Sequence, residues 1–344
     1  MGIDIFLITK FDLLSMSPAV NCAFKVAVVV PVYNCADYIG ECLESLSVQI
    51  YNNFEVYVID DGSSDGSYEV VTEFAKRDGR FIVMRQENKG IGVARNVGLN
   101  EMGKRGGVDY VCFVDSDDKI KPDFLDVLIE KAINYKSDVT ICGFENFDRY
   151  GVVNNADLCI ADQRLGKDDF VDLILSQRRF KNVNGRGGMV WKQLYSYDLV
   201  RDVRFLEERN VIEDEHYLMQ VALRSKNILY IGQTLYQYRK REGSAITDID
   251  YKEKLYRGRI LCIPLASKIS ETSKLTLLGI LVRHFIRKYK KTGKVSHFLY
   301  EWMPLYEEMY KNNCINAVEL MHLFFIVKIP LMANCFYRIR KVFH

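Results

Sequence analysis

The 344-residue sequence holds nine cysteines and five histidines, yet no CxxC pair and no histidine at zinc-ligand spacing from a cysteine. That absence excludes the common structural zinc sites. Cys22, Cys35, Cys42, Cys112, Cys142, Cys159, Cys262, Cys314 and Cys335 stand singly and read as buried, reduced thiols. Charge excess is lacking too. The 47 basic and 45 acidic residues leave a net +2, so the whole-molecule field does not favour nucleic acid, and no RNA-binding motif accompanies the basic stretches. No glycine follows the first apolar strand, VAVVVPVYN. The one near match to a dinucleotide fingerprint, KGIGVAR, follows a later strand and has Arg95 where a third Gly or Ala belongs, so no dinucleotide cofactor is expected. Long apolar runs are missing as well. Asp4, Lys10 and Asp12 break the first 24 residues and no small-residue cleavage site follows, so no signal peptide is expected; Met16 is a candidate internal start.

What is present is regular from Lys25 onward. The run VAVVVPV is the β-branched pattern of a strand covered on both faces, and Pro31 is expected to end it. Ile39, Cys42, Leu43 and Leu46 recur at helical spacing, and FEVYVIDDGSSDGS then gives a second strand running into a turn cluster. A helix over 66–77, a strand at 81–85, a helix over about 91–102 and a strand at 109–115 continue the alternation. This order predicts a doubly wound, mostly parallel α/β sheet followed by a helical C-terminal extension.

Ligands on such sheets bind beyond the carboxyl ends of the strands. There this sequence places Tyr33 and Asn34, then Asp60 and Asp61, then Asp115, Ser116, Asp117 and Asp118. Asp and Ser after strands also make ordinary turns and caps, but three clusters on one edge point to a site. In extended geometry Asp115 and Asp117 project to the same side, an arrangement suited to a hard divalent cation that shares substrate phosphates. Asp60 or Asp61 is placed to accept from a nucleobase N–H or a ribose hydroxyl. Arg95, in the first turns of a helix that opens after Asn88 and Gly90, is placed to meet an anion. In VIEDEHYLMQVALRS, Tyr217, Leu218, Val221 and Ala222 define one helix face with Asp214 at its centre. Glu213 falls at its edge, and Glu215 and His216 swing towards solvent. An inward carboxylate there reads as a helix cap or as a base facing a cleft.

Taken in order, VVVPVYNCADYIGECLESLSVQ, FEVYVIDDGSSDGS, ENKGIGVARNVGL, YVCFVDSDD, IEDEHY and LYQYRKREGSAIT resemble the family 2 glycosyltransferases of GT-A fold, especially those building bacterial surface polysaccharides. The resemblance spans about residues 25–247. It implies an inverting transfer of a hexosyl or N-acetylhexosaminyl group from a nucleotide-diphosphate sugar, UDP-linked, to a saccharide acceptor. That acceptor would be lipid-linked, in capsule, exopolysaccharide or lipopolysaccharide synthesis. Pro31, Tyr33, Asn34, Asp60, Asp61, Asn88, Gly90, Arg95, Asp115 and Ser116 would hold the donor, Asp60 and Asp61 at the uridine. Asp115 and Asp117 would form the DxD pair, with Asp117 on Mn²⁺ or Mg²⁺, and Asp214 would be the base. The sequence VWKQLYS departs from the Trp-Asn-Lys-Leu-Tyr often seen in similar proteins, which puts an acceptor-side lysine in doubt.

The organisation expected is an N-terminal extension (1–24), a donor-binding half (25–120), an acceptor and base half of the same domain (121–250), and a helical segment (251–344). The alternative function is a non-catalytic nucleotide-sugar-binding subunit. In the last segment Arg283, Arg287, Lys288, Lys290, Lys291 and Lys294 crowd one stretch without an acid. LFFIVKIPLMANCFYRIRKVFH, also acid-free, is interrupted at Lys328 and Pro330 and is too short to span a bilayer. Basic and aromatic residues beside an apolar face suit a helix lying on an anionic membrane surface, or one packed back on the domain. A cytoplasmic protein, peripheral on the inner face of the membrane, is the location expected.

Overall fold

The computed structural model describes residues 24–155, 161–175, 188–241, 251–292, 299 and 303–328. The N-terminal extension with Met16, the GSAIT segment, and Cys22, Cys159, Lys294 and Cys335 lie outside them. Strand β1 (Val26–Val32) leads to α1 (Ala36–Ser47), β2 (Phe54–Asp60), α2 (Ser67–Arg77), β3 (Phe81–Arg85), α3 (Ile91–Arg105) and β4 (Tyr110–Phe113). β3, β2, β1 and β4 lie side by side and parallel. Successive β1 residues feed opposite cores: Ala27 and Val29 join α3, whereas Val26, Val28 and Val30 join α1 and α2. With side chains alternating along a strand, a wholly apolar run is buried by helices on both faces. The double winding expected is present.

Beyond β4 the sheet becomes mixed. The chain forms β5 (Lys119–Ile120), α4 (Phe124–Tyr135), β6 (Val139–Asp148), β7 (Gly151–Asn155), β8 (Gln163–Leu165), α5 (Lys167–Ile174), β9 (Gln193–Ser196), α6 (Tyr197–Val200), α7 (Asp214–Arg224) and β10 (Ile228–Arg239). β9 enters antiparallel between β4 and β6, while β10 runs parallel to β6. The mostly parallel sheet expected is thus parallel across β3, β2, β1 and β4 and again between β6 and β10, with β9 antiparallel between the two groups.

Pro31 does not end β1, which runs to Val32. On the β4 side pairing has already stopped at Val29 and Phe113, so the missing proline N–H leaves no ladder partner unsatisfied. Helix α3 lies unusually close to this strand. A Cβ on Gly98 would stand 2.7 Å from Val29 Cγ1, so only glycine permits the approach.

The C-terminal helices α8 (Tyr251–Leu261), α9 (Ile263–Ile269) and α10 (Glu271–Thr292) are followed by α11 (Tyr306–Lys311) and α12 (Ala317–Lys328). Leu275, Leu278, Leu281 and Val282 of α10 share one core with Tyr217, Leu218 and Val221 of α7. Packing of α8 on α7 overturns one expectation: Glu215 is not solvated but 4% exposed. Its two oxygens accept from Arg259 Nε and Nη2, each at 2.7 Å. The helical wheel placed Glu215 correctly relative to the α7 stripe but assumed water on the other side, where α8 stands. His216 is half-buried, and burial lowers its pKa.

Removing one partner of a buried ion pair strands the other charge, whereas removing both does not. Arg259→Leu is therefore expected to destabilise the protein by about 3 kcal/mol, and Glu215→Leu on top of it to recover most of that loss. Denaturant unfolding of both variants checks this; a single-variant loss within about 0.5 kcal/mol, the range of ordinary surface substitutions, would show the pair to be inconsequential.

Candidate functional site

The carboxyl ends of β1, β2 and β4 open onto a cleft of about 490 Å³. It is lined from the first half of the sheet by Pro31, Tyr33, Asp61, Asn88 and Gly90, and from later in the chain by Met189, Trp191, Ile212, Tyr238 and Tyr251. Arg95, Asp115, Ser116, Asp117, Glu213, Asp214 and Arg241 also line it.

Arg95 organises the floor. It is 1% exposed, and its Nη1 donates to Glu213 Oε1 at 2.9 Å and to Asp214 Oδ1 at 2.6 Å, while Nη2 donates to Asp115 Oδ1 at 2.8 Å. The anion facing Arg95 is thus the protein's own carboxylate cluster. Its guanidinium carbon lies 5.2 Å from the centroid of Phe205, whose ring stacks on Tyr217. Asn96 fixes Phe205 by accepting from its N–H at 2.9 Å and donating to its carbonyl at 3.0 Å. Neighbouring Gly92 admits this loop, since a Cβ there would lie 2.5 Å from Leu206 O and 3.2 Å from Glu213 Cγ. Of the two glycines of KGIGVAR, Gly92 thus serves packing, while Gly90 supplies a positive φ of 98° ahead of α3.

Asp60 and Asp61, indistinguishable in the sequence, take different roles. Asp60 is fully buried, accepts from Ser63 N–H and pairs with Arg85 Nε at 3.1 Å; it is absent from the described cleft wall. Asp61 faces the cleft and accepts from Gln86 Nε2, Lys89 N–H and Gly90 N–H at 2.6–2.8 Å, leaving one lone pair for a ligand. Asn34, in a left-handed turn with φ 46°, stitches its loop to Ser63 and Ser64. It also lies off the cleft wall. Asn88 accepts from Arg209 through its side chain and its carbonyl.

The stretch from Asp115 to Asp118 is a turn, not extended strand, because β4 ends at Phe113 and Asp118 N–H closes back on Asp115 O at 3.0 Å. Asp115 and Asp117 nevertheless both reach the cleft. Asp118, 0% exposed, holds the turn in place: Tyr236 OH donates to it at 2.8 Å and accepts from Asp115 N–H, and Arg239 N–H caps its other oxygen. Arg241 Nε donates to Asp117 Oδ2 at 2.7 Å. Lys192, the departure in VWKQLYS, is buried with φ 62° and lies over the Phe144 and Tyr230 rings, away from the described cleft wall.

Four carboxylates, Asp115, Asp117, Glu213 and Asp214, meet two guanidiniums, Arg95 and Arg241, at the cleft. Burial pushes Asp214 up to about 7; Arg95 pulls it down and Glu213 pushes it further up. Burial likewise pushes Asp115 up to about 6, against the pull of Arg95. The described residues hold no cluster of three or more metal-ligating side chains. One or two carboxylates completed by substrate phosphates is the binding mode of Mg²⁺ or Mn²⁺, and Asp115 with Asp117 fits it.

Sequence reasoning missed Asn96, Phe205, Tyr236, Arg239 and Arg241, all of which work on the cleft through partners remote in the chain. No local signal marks them, although Tyr236, Arg239 and Arg241 fall within the quoted LYQYRKREGSAIT and Asn96 within ENKGIGVARNVGL.

Comparison with known proteins adds independent findings. Residues 27–181 match the family described as Glycosyl transferase family 2. The chain is 34% identical over 227 residues to glycosyltransferase GlyA of Streptococcus pneumoniae serotype 4, covering 64% of this chain but only 31% of that protein. To glycosyltransferase GlyG of the same organism it is 30% identical over 278 residues, covering 78% of this chain and 88% of the other. Among solved structures it resembles S. aureus TarS 1–349 in complex with UDP-GlcNAc, with TM-score 0.61 and 23% identity over 84% of this chain and 81% of that one. That likeness shows the GT-A fold.

The raised carboxyl pKa of Asp214 carries a stability consequence. The folded chain keeps a proton that the unfolded chain has released, so stability falls as pH rises from about 4, the unfolded value, to about 7. Asp214→Asn removes that penalty and still leaves Arg95 two carboxylates. Its Tm is expected to exceed that of the parent by about 2–4 °C at pH 8, with the gap closing towards pH 4. Calorimetry showing a lower Tm at pH 8 would refute the reading of a strained carboxylate.

Proposed function

Because the chain belongs to the family 2 glycosyltransferases, we propose that this transferase moves a sugar from a UDP-sugar to a saccharide acceptor, lipid-linked, in bacterial surface-polysaccharide synthesis, with inversion at the anomeric carbon. The observation that carries the proposal is the bridge from Asp115 through Arg95 to Asp214, which brings the donor-side turn and a candidate base to one guanidinium. The choice of uridine draws on TarS, whose structure holds UDP-GlcNAc.

In this reading Tyr33 and Asp61 line the nucleoside end, Asp115 and Ser116 the ribose and diphosphate, and Asp117 and Asp115 hold Mn²⁺ or Mg²⁺. That ion, when bound, neutralises charge developing on the departing nucleoside diphosphate. The Asp214 carboxylate takes the proton of the acceptor hydroxyl as that oxygen attacks the anomeric carbon from the face opposite the diphosphate. A carboxyl with a pKa of about 7 is about half ionised at neutral pH and its carboxylate is a far stronger base than an ordinary Asp near 3.9, which is ionised but weakly basic. Arg95 keeps that carboxylate oriented. The wall of Met189, Trp191, Tyr238 and Tyr251 is the side left for the acceptor.

A panel of nucleotide sugars incubated with Mn²⁺ or Mg²⁺ and scored for nucleoside diphosphate release, with and without EDTA, tests the reading. Release from a UDP-sugar that EDTA abolishes is expected. Asp214→Asn should bind UDP normally in calorimetry yet lose roughly 10²–10⁴-fold in kcat. If turnover persists in Asp214→Asn and disappears in Glu213→Gln, the base is Glu213.

A further inference from the structure

Helix α12 breaks the rule for a surface helix. Its buried face, Leu323 and Ile326, packs into the core at 0% exposure. A helix of a water-facing domain would carry charge on the other side. Here Val318, Met321 and Phe324, spaced three apart, are 56%, 51% and 54% exposed. Three large apolar side chains in one stripe are more than the scattered exposure of an ordinary surface.

Beside this stripe runs the cationic half of α10. A groove of about 420 Å³ between the two helices is lined by Arg283, Arg287, Lys290 and His322, with Val318 on its wall and Glu319 as its one acid. Glu319 is engaged: it accepts from Asn316 N–H and stands 3.9 Å from Arg283, whose guanidinium also donates to Cys314 O. Lys290 Nζ lies 3.4 Å from His322 Nδ1, and Arg287 and Lys291 are exposed. No helix among the described residues is long and apolar enough to cross a membrane.

An apolar stripe flanked by a cation-lined groove is the composition of a helix seated at a lipid headgroup boundary, with acyl chains against the apolar side chains and phosphates against the cations. We propose that the α10–α12 edge docks the protein on an anionic phospholipid surface, with Val318, Met321 and Phe324 entering the interface and Arg287 and Lys290 meeting headgroup phosphates. The sequence pointed to basic residues of the last segment in general; the helices assign the contact to this edge. Residues 329–344, which the sequence reading also implicated, lie outside the described residues. The inference is independent of the donor chemistry and is read out separately from it.

The test is co-sedimentation of the full chain with vesicles of phosphatidylcholine mixed with phosphatidylglycerol, against phosphatidylcholine alone. The parent protein should partition onto the anionic vesicles, and salt should weaken it. The double variant Met321→Asp/Phe324→Asp, altered only at exposed positions, should bind at least about tenfold more weakly, as should Arg287→Glu/Lys290→Glu. Circular dichroism and UDP binding should be unchanged in both variants. Undiminished partitioning of either variant would move the lipid contact elsewhere and overturn the proposal. So would absence of parent binding, or a parent dimer that Met321→Asp/Phe324→Asp converts to monomer, which would assign the stripe to a second copy of the chain.

Discussion

One guanidinium sets the geometry of the cleft. Arg95 is buried beneath three carboxylates from two distant stretches, Asp115 after β4 and Glu213 with Asp214 at the start of α7. A single buried arginine would be prohibitive without partners, and three clustered carboxylates would repel one another without it. Each side therefore requires the other. The glycine contacts around α3 exist so that this meeting can happen: Gly98 lets the helix settle on Val29, and Gly92 lets the 205–213 loop close over it. Arg95 Nε has no hydrogen-bond partner among the described groups, a local cost of about 1–3 kcal/mol tolerated in exchange for the cluster.

The placement of α7 depends in turn on the C-terminal helices. Its first turn carries Glu213 and Asp214 into the cleft, while Glu215, on the far side, is gripped by Arg259 of α8. Gly258 lets α8 approach, since a Cβ there would sit 2.5 Å from Ile212 O. Tyr251, the first residue of α8, also lines the cleft. The helical segment is therefore a wall and an anchor of the site. Its boundary near residue 250 marks a change of secondary structure within a continuous core.

Much of this was legible before any coordinates. Apolar runs followed by polar clusters revealed the strands and the edge where they end, because the run length and the polar break are both local properties. The wheel argument for Asp214 depends only on the stripe of its own helix. Other features were illegible for a common reason: they depend on what arrives from elsewhere in the chain. Glu215 turned inward because α8 covers it. Asp60 and Asp61 parted because successive residues at a strand end point opposite ways, and which way meets the cleft is fixed by neighbouring strands. Pro31 remained within β1 because β4 stops short. The link from Arg95 to Asp214 spans 119 positions, and no local pattern encodes it.

The charge balance of the cleft also bears on order of events. With every carboxyl ionised, Asp61, Asp115, Asp117, Glu213 and Asp214 exceed Arg95 and Arg241 by three negative charges, five carboxylates less two guanidiniums. Burial, with Glu213 adding to it against the pull of Arg95, keeps the carboxyl of Asp214 high in pKa, and the surrounding carboxylates disfavour a bare diphosphate. In the proposed reading, a nucleoside diphosphate brought in with a divalent cation would meet the opposite balance, the cation being attracted to Asp115 and Asp117. Asp117 would hold the ion, and Arg241, which donates to Asp117 at 2.7 Å, would then be placed to meet a phosphate oxygen. In that reading the same neutralisation would lessen the repulsion felt by Asp214 and favour its ionised, proton-accepting form. In this account the donor with its cation prepares the base, and a cleft holding acceptor alone leaves Asp214 closer to its protonated state.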